Sequence, residues 1–330
     1  MRDARIYQWN RAVVGFVLGL MLAGHACAQP AASYPSKPIT VIVAFPAGGT
    51  SDVLARAVGE KLSAAWGQPI LVENKPGASG NIAATAVAQA PADGYTLLLS
   101  AAAISVAPTL YKNPGFKLFD DLTPITVIGT VPFMLVTNPS LPVNSFTEFM
   151  RYATSNPNKL SMGSGGNGTI THLAGELMKM RARIEFTHVP YKGGIQAMTD
   201  LLGGRIDFTI DGGPILVPHI ATQKLRLLAV TSARRLPQYP ALPTVAESGY
   251  PGFQASAWQM LLAPAGTPKS IVEKIQADIA QALRDPALAG RLLKMGVEPI
   301  GDTPEATGTF LRGEITKWAE VVRVSGAKID

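Results

Sequence analysis

The feature that most constrains this chain is an alternation: short β-branched runs end in glycine-rich breaks, and each break opens a segment with helical spacing. Residues 39–45 (ITVIVAF) form a continuous apolar run stopped by Pro46, Ala47, Gly48 and Gly49. Such a run suits a strand covered on both faces. Thr50 or Ser51 is placed to cap the helix that follows, Asp52 falls in its first turn, and Val53, Leu54, Ala57, Val58 and Leu62 share one face. The same order returns with a strand at 70–73, a turn at 76–80 and a helix at 81–90, then a third strand at 95–99. Strands at 159–162, 185–189 and 206–210 lead into helices at 169–180 and 194–202 and into Gly212-Gly213-Pro214. Further strands are expected at 225–230 and 257–262, and helices at 270–283, 287–293 and 304–322. Alternation on this scale predicts an α/β protein with parallel sheets covered by helices.

Proline-rich stretches at 131–142 and 236–253 interrupt the alternation and bracket a middle block of domain size. This predicts two α/β lobes, residues 29–134 with 255–330 forming one and 135–254 inserted as the other. The 330 residues are 47% hydrophobic and 16% charged, a composition that folds without metal or disulfide staples. The single cysteine, Cys27, excludes an internal disulfide and a cysteine-based metal site. The formal charge of +6 is spread along the chain with no basic run, so a nucleic-acid platform is not expected.

The first 28 residues read as an address. Arg2, Arg5 and Arg11 precede the apolar stretch 12–23, and Ala26-Cys27-Ala28 places small residues where a signal peptidase reads. A membrane span needs about 20 apolar residues, more than this stretch offers. Lipid attachment at Cys27 is disfavoured because Gly24-His25-Ala26 lacks the aliphatic residue expected three positions upstream. Cleavage after Ala28 would leave 26 basic and 22 acidic residues, a formal charge of +4, and no cysteine.

A glycine loop between a buried strand and a helix leaves backbone N–H groups and a positive dipole end aimed at one spot, which is a small-anion site. Three segments fit: 46–52 (PAGGTSD), 77–81 (GASGN) and 163–169 (GSGGNGT). Any one such loop is more often a tight turn. Three together, each with hydroxyl or amide side chains, point to carboxylate binding. Gly163, Gly165 and Gly168 also match the dinucleotide fingerprint, and Glu185 lies 17 residues further on. The motif sits mid-chain without a catalytic set, in a chain carrying an export signal, and is read as a decoy.

Enzymatic signatures are lacking. Ser79 and Ser164 each miss a flanking glycine of the nucleophile elbow, and no Walker lysine follows a glycine loop. His172, His188 and His219 are not spaced for a local zinc motif. His188 and His219 read as partly buried structural residues, while His172, one helical turn past a glycine loop, is equally a ligand-side candidate.

The strings VAFPAGGTSDVLAR from Val43, VENKPGASGN from Val72, ADGYTLL from Ala92 and NKLSMGSGGNGTITHLAGEL from Asn158 occur in order. HVPYKGGIQAMTDLLGGRIDF from His188, LAVTSARR from Leu228, LPTVAESGYPGF from Leu242 and APAGTP from Ala263 follow. Together they closely resemble the substrate-binding proteins of tripartite tricarboxylate transporters, the Bug or TctC family, from about Tyr34 to the C-terminus. The resemblance implies a two-lobed periplasmic binding protein of type II, the Venus flytrap architecture, with the ligand cleft between the lobes. It also implies a small organic carboxylate as ligand (di- or tricarboxylate, acidic amino acid or aromatic acid) and the membrane permease of such a transporter as partner. No cofactor, metal or catalytic residue is implied, and a periplasmic monomer is expected.

By the matching motifs, Ala47, Gly48, Gly49, Thr50, Ser51 and Asp52 would hold one carboxylate through backbone N–H and hydroxyl groups. Ser79, Asn81 and Ser100 complete that side. Ser164, Gly165, Asn167 and Thr169 would hold the ligand from the other lobe, with His172 nearby and Asp211 facing the cleft. Two segments depart from the common pattern: Ser100-Ala101-Ala102-Ala103-Ile104 is less polar, and Asp211-Gly212-Gly213-Pro214 replaces an Asp-Asn-Leu-Pro type. A smaller, less polar wall would admit a bulkier apolar ligand body. Two other readings compete: a sensory subunit engaging a sensor kinase ectodomain, and an extracytoplasmic α/β enzyme.

Overall fold

The computed structural model describes residues 34–327, so the signal segment, its cleavage position and Cys27 lie outside the described residues. Ten strands form one sheet with the order β2-β1-β3-β9-β4-β7-β5-β6, while β8 and β10 pair with β4. Strands β1 (Ile39–Val43), β2 (Ile70–Asn74) and β3 (Thr96–Ala101) are parallel, as are β5 (Ser161–Ser164), β6 (Thr187–Pro190) and β7 (Phe208–Gly212). The sheet is nevertheless mixed, which corrects the expectation of parallel sheets. β9 (Ser256–Pro264) is antiparallel to β3 and β4, and β7, β8 (Arg226–Val230) and β10 (Glu298–Pro299) are antiparallel to β4.

Strand β4 (Leu122–Thr137) is the backbone of the molecule, and it runs through the first proline-rich stretch that the sequence marked as a break. Its residues 122–132 pair with β9, and residues 133–137 pair with β7 and β8. Proline lacks the N–H that a central strand needs. Pro124 sits beside a register shift and Pro132 at the last β9 pair, where the ladder changes partner, so both interruptions fall where the ladder already breaks. Thr231 ties this changeover to the start of β9. Its N–H donates to Phe133 O at 2.9 Å, and its hydroxyl lies 2.6 Å from Ala255 O.

Helices α1 (Thr50–Trp66), α2 (Asn81–Ala88), α3 (Phe146–Ser155), α4 (Ile170–Ala182), α5 (Gly194–Leu202) and α6 (Gly213–Ala221) cover the sheet, followed by α7 (Lys269–Leu283), α8 (Pro286–Lys294) and α9 (Pro304–Ser325). One apolar core runs from Ile42 and Leu98 through Leu135 and Phe208 to Trp318, and a second, with Met134, Met198, Leu201 and Leu216, lies under α5 and α6. Helix α9 packs on both β4 and α4. Its buried Glu314 accepts the indole N–H groups of Trp258 and Trp318 on one oxygen, each at 3.0 Å, and pairs with Lys317. No helix among the described residues is long and apolar enough to cross a membrane.

Candidate functional site

Strand directions place the site. β3 and β4 are each antiparallel to β9, so β1 and β3 run with β4 toward its second half. β7 runs against β4, and β5 and β6 run with β7. The carboxyl ends of the two half-sheets therefore point at each other across the middle of β4. Open α/β sheets bind ligands at strand carboxyl ends, and here the loops after β1, β3, β5, β6 and β7 converge there.

On the first side, the loop after β1 turns at Gly48, whose φ of +80° is left-handed and favours glycine. Gly49 is the N-cap of α1 with extended backbone and no side-chain cap, which corrects the expectation that Thr50 or Ser51 caps this helix. The helix begins one residue earlier than expected. Thr50 becomes its first residue, and Ser51 instead donates to Gln259 Oε1 at 2.7 Å inside the fold. The N–H groups of Thr50, Ser51 and Asp52 are left without an acceptor in the helix. Asp52 is spent elsewhere: Gly48 N–H donates to its carboxylate at 2.9 Å, and Arg56 pairs with it at 3.0 Å. The Arg56 guanidinium, and then the Gly48 N–H, hold the Asp52 carboxyl below its usual range. The acid thus fixes the loop that presents the donors.

Behind this loop, Asn81 at the start of α2 is 4% exposed and Ser100 near the end of β3 is fully buried. Both polar atoms of the Asn81 side chain and the Ser100 hydroxyl have no hydrogen-bond partner among the described residues. A Cβ on Gly80 would come within 3.1 Å of Ala44 Cβ and 3.8 Å of Ser100 Oγ, so Ser100 and the turn into α2 meet just past the end of β1. Buried polar groups are rarely orphaned, so this pair calls for a partner such as water or a ligand. Ser79 is exposed and accepts from Tyr111 Oη at 3.0 Å.

The loop after β5 is built from the same residue types but is closed on itself. Gly165 N–H donates to Thr171 Oγ1 at 3.1 Å, Gly166 N–H to Ser164 Oγ at 3.1 Å and Gly168 N–H to His172 Nδ1 at 3.1 Å. Thr169 caps α4 by accepting from His172 N–H. Asn167, at the tip, is exposed. His172 is buried and structural in its contacts. Accepting at Nδ1 leaves its proton on Nε2, 3.7 Å from the Glu176 carboxylate. Its ring stacks on His188 with centroids 4.0 Å apart, and His188 Nε2 lies 2.6 Å from Ser164 Oγ. Burial, and then the neighbouring His172, push the His188 imidazole down to about 4.

The open donors of the second side lie elsewhere. Gly193 is the N-cap of α5 and Gly212 that of α6, and neither offers a side-chain cap. A Cβ on Gly165 would lie 3.6 Å from Gly194 N, and one on Gly194 would lie 2.5 Å from Asp211 Oδ2. Loop 163–169, the α5 terminus and the end of β7 are therefore one surface, with Asp211 set between α5 and α6. Asp211 Oδ1 accepts from Gly212 N–H at 2.7 Å.

The geometry adds residues the sequence reading passed over. His188 is locked to Ser164 rather than bland, and Gly193-Gly194 forms a fourth strand–glycine–helix junction. That signal was readable in HVPYKGGIQAM. Gln259 was not readable, because only the pairing of β9 with β3 and β4 brings it under α1. Among the described residues no cluster of three acidic, histidine or cysteine side chains is arranged to hold a metal.

Comparison with known proteins identifies the family and the fold. The model of the tripartite tricarboxylate transporter family receptor matches residues 54–326. The BugT protein of Bordetella pertussis is 39% identical over 317 residues, spanning 95% of this chain and 97% of its own. The structure of R. palustris Rpa4515 with adipate superposes with a TM-score of 0.76 at 38% identity, covering 90% of this chain and all of that one. MatC (Rpa3494) from Rhodopseudomonas palustris with bound malate gives 0.71 at 31% identity, over 88% of this chain and all of its own. The α/β architecture is that of two-lobed periplasmic binding proteins. The chain belongs to the tripartite tricarboxylate transporter receptor family.

Proposed function

We propose that this protein is a periplasmic receptor that binds a small organic carboxylate without transforming it and delivers it to the permease of a tripartite tricarboxylate transporter. The observation that carries the reading is the uncapped α1 terminus, with free N–H groups on Thr50, Ser51 and Asp52, backed by the unpartnered Asn81 and Ser100. A carboxylate there accepts N–H hydrogen bonds at the positive end of a helix dipole. The second carboxyl or polar end of the ligand reaches the facing termini of α5 and α6.

Residues 29–134 with 255–330 act as one lobe and 135–254 as the other, with crossings at 131–138 and 251–256. A ligand touching both lobes favours the closed arrangement by its differential contacts. The protein reaches the periplasm by cleavage after Ala28 and works as a monomer. Adipate and malate, present in structures of relatives, are the first acids to try.

Two measurements test this. Mass spectrometry of small molecules released on denaturing the purified protein should find an intact organic acid, and calorimetric titration should show saturable one-to-one binding of that acid. Release of a chemically altered acid after incubation would replace the receptor reading with an enzymatic one.

A further inference from the structure

Asp211 is out of place in a site that takes an anion. It is 9% exposed at the end of β7, its Oδ1 is held by one N–H, and its Oδ2 accepts no hydrogen bond from the described residues. Oδ2 lies against the Gly194 backbone, where a Cβ would approach to 2.5 Å, so the carboxylate sits at the α5 terminus where a ligand carboxylate would come.

No compensating charge faces it among the described residues. The paired strand β4 carries no ionisable residue, and neither does β5. On α5 the one acid, Asp200, is bound to Tyr191 and Arg205. Lys192 before α5 is exposed and makes no ion pair, and His219 closes the far end of α6, two helical turns away. The stacked pair His172 and His188 belongs to the neighbouring loop and is engaged with Gly168, Glu176 and Ser164.

We infer that Asp211 is the proton-binding group of this receptor, so that a carboxylate ligand binds together with one proton taken from solvent onto the Asp211 carboxyl. This rests on the carboxylate-receptor reading above. Two carboxylates confined to one buried site cannot both stay ionised without a cation, and sharing a proton relieves them. The protonated Asp211 then donates its O–H to a ligand carboxylate oxygen, the proton coming from solvent, and the pair keeps a single negative charge. Burial already pushes the Asp211 carboxyl up to about 6, within reach of protonation when a second negative charge arrives. A ligand presenting an ammonium at this end would leave Asp211 ionised, so the residue also sorts ligands by the charge they present here.

The test is calorimetric titration of the wild-type protein and Asp211→Asn with adipate and with malate at pH 6, 7 and 8, with proton uptake read at pH 7 by comparing phosphate with HEPES buffer. Asparagine keeps an oxygen for Gly212 N–H but cannot titrate. Wild-type protein should take up about half to one proton per acid bound at pH 7 and bind about tenfold more weakly at pH 8 than at pH 6. Asp211→Asn should lose both effects, binding with the same affinity at pH 6 and at pH 8 and taking up no proton. Binding without proton uptake, or uptake that persists in Asp211→Asn, overturns the inference.

A second arm needs no ligand. A carboxyl raised from 3.8 to about 6 in the folded state lowers stability as pH rises through that window. The Tm of wild-type protein should therefore fall relative to Asp211→Asn between pH 4 and pH 7, and an offset independent of pH overturns the inference. If that arm holds while neither acid binds and no acid is released on denaturation, the receptor reading fails, and proton-linked carboxylate binding fails with it.

Discussion

Loops 46–52 and 163–169 are alike in sequence and opposite in chemistry. Both follow a buried strand, both carry glycines, hydroxyls and a side chain that reaches back, and both start a long helix. In the first, Asp52 takes the Gly48 N–H and Pro46 O takes the Gly49 N–H, while the N–H groups of residues 50–52 at the α1 terminus stay open. In the second, Thr171, Ser164 and His172 consume three glycine N–H groups and Thr169 caps the helix. A glycine loop binds an anion only if the side chains just beyond it leave its donors unspent.

The largest expected effects come from placing the same residue in each loop. Gly49 has an ordinary extended φ of −76°, and a Cβ there meets only Pro46 O, at 3.3 Å. Gly49→Val should therefore fold but crowd the α1 donors, lowering acid affinity about a hundredfold or more, as expected for losing two charge-assisted hydrogen bonds. Gly166 has φ +126°, and a Cβ there would lie 2.9 Å from Tyr191 O. Gly166→Val should instead lower the ligand-free Tm by many degrees. Calorimetry beside thermal melting separates the two, and full affinity in Gly49→Val would end the assignment of this loop.

All eight expected strands are present within a few residues of their expected bounds, the clearest being β1 (ITVIV) and β3 (TLLLSA), whose centres are apolar and buried. What was illegible has a common cause. β4 was hidden because Pro124 and Pro132 punctuate it, and only the change of partner strand makes them harmless. The candidate site was visible as glycine loops, but which N–H groups remain free depends on where Asp52, Thr171 and His172 turn. Side-chain direction is a tertiary property that spacing does not carry. Ser51 illustrates this, since its hydroxyl is drawn to Gln259, 208 residues away.

The closed loop should also be the pH-sensitive one. The His188 imidazole is held at about 4 against 6.5 for the free residue, so the unfolded chain takes up the proton first as pH falls. The stability contributed by neutral His188 is fully present above pH 6.5 and is lost progressively toward pH 4, by about 3 kcal/mol at most. Melting curves from pH 7.5 to 4.5 should show wild-type protein losing Tm relative to His188→Gln. Parallel pH profiles for the two proteins would mean that the His172–His188 stack does not resist protonation. The slope opposes that from Asp211, so each is best read against its own variant.

A smaller contrast concerns two buried serines. Ser100 Oγ has no partner, whereas Ser164 Oγ accepts from Gly166 and meets His188. Leaving a buried hydroxyl unsatisfied costs about 1–3 kcal/mol. Ser100→Ala should thus hold or raise the ligand-free Tm while weakening acid binding. Ser164→Ala should lower Tm by the equivalent of about 1–2 kcal/mol with little change in affinity. If both variants lose stability equally, Ser100 is an ordinary core residue.

The smallest effect is expected at Thr50, and it decides whether the first loop recognises its ligand by backbone or by side chain. Thr50 is exposed at the first position of α1, and its hydroxyl makes no contact that the fold depends on. Removing it leaves the N–H groups of residues 50–52 and the helix dipole in place, so only one hydroxyl hydrogen bond to the ligand is lost. Thr50→Ala should weaken acid binding by about 0.5–1.5 kcal/mol, roughly two- to tenfold, with Tm unchanged. Its counterpart Thr169→Ala removes a helix cap that accepts from His172 N–H and donates to Gly166 O at 2.7 Å. That change should cost about 1 kcal/mol of stability and leave affinity nearly intact. A hundredfold loss in Thr50→Ala would transfer recognition from the backbone donors to this hydroxyl. Equal losses of affinity in both variants would erase the distinction between an open loop and a spent one, because a capped terminus would then be binding ligand as well as a free one.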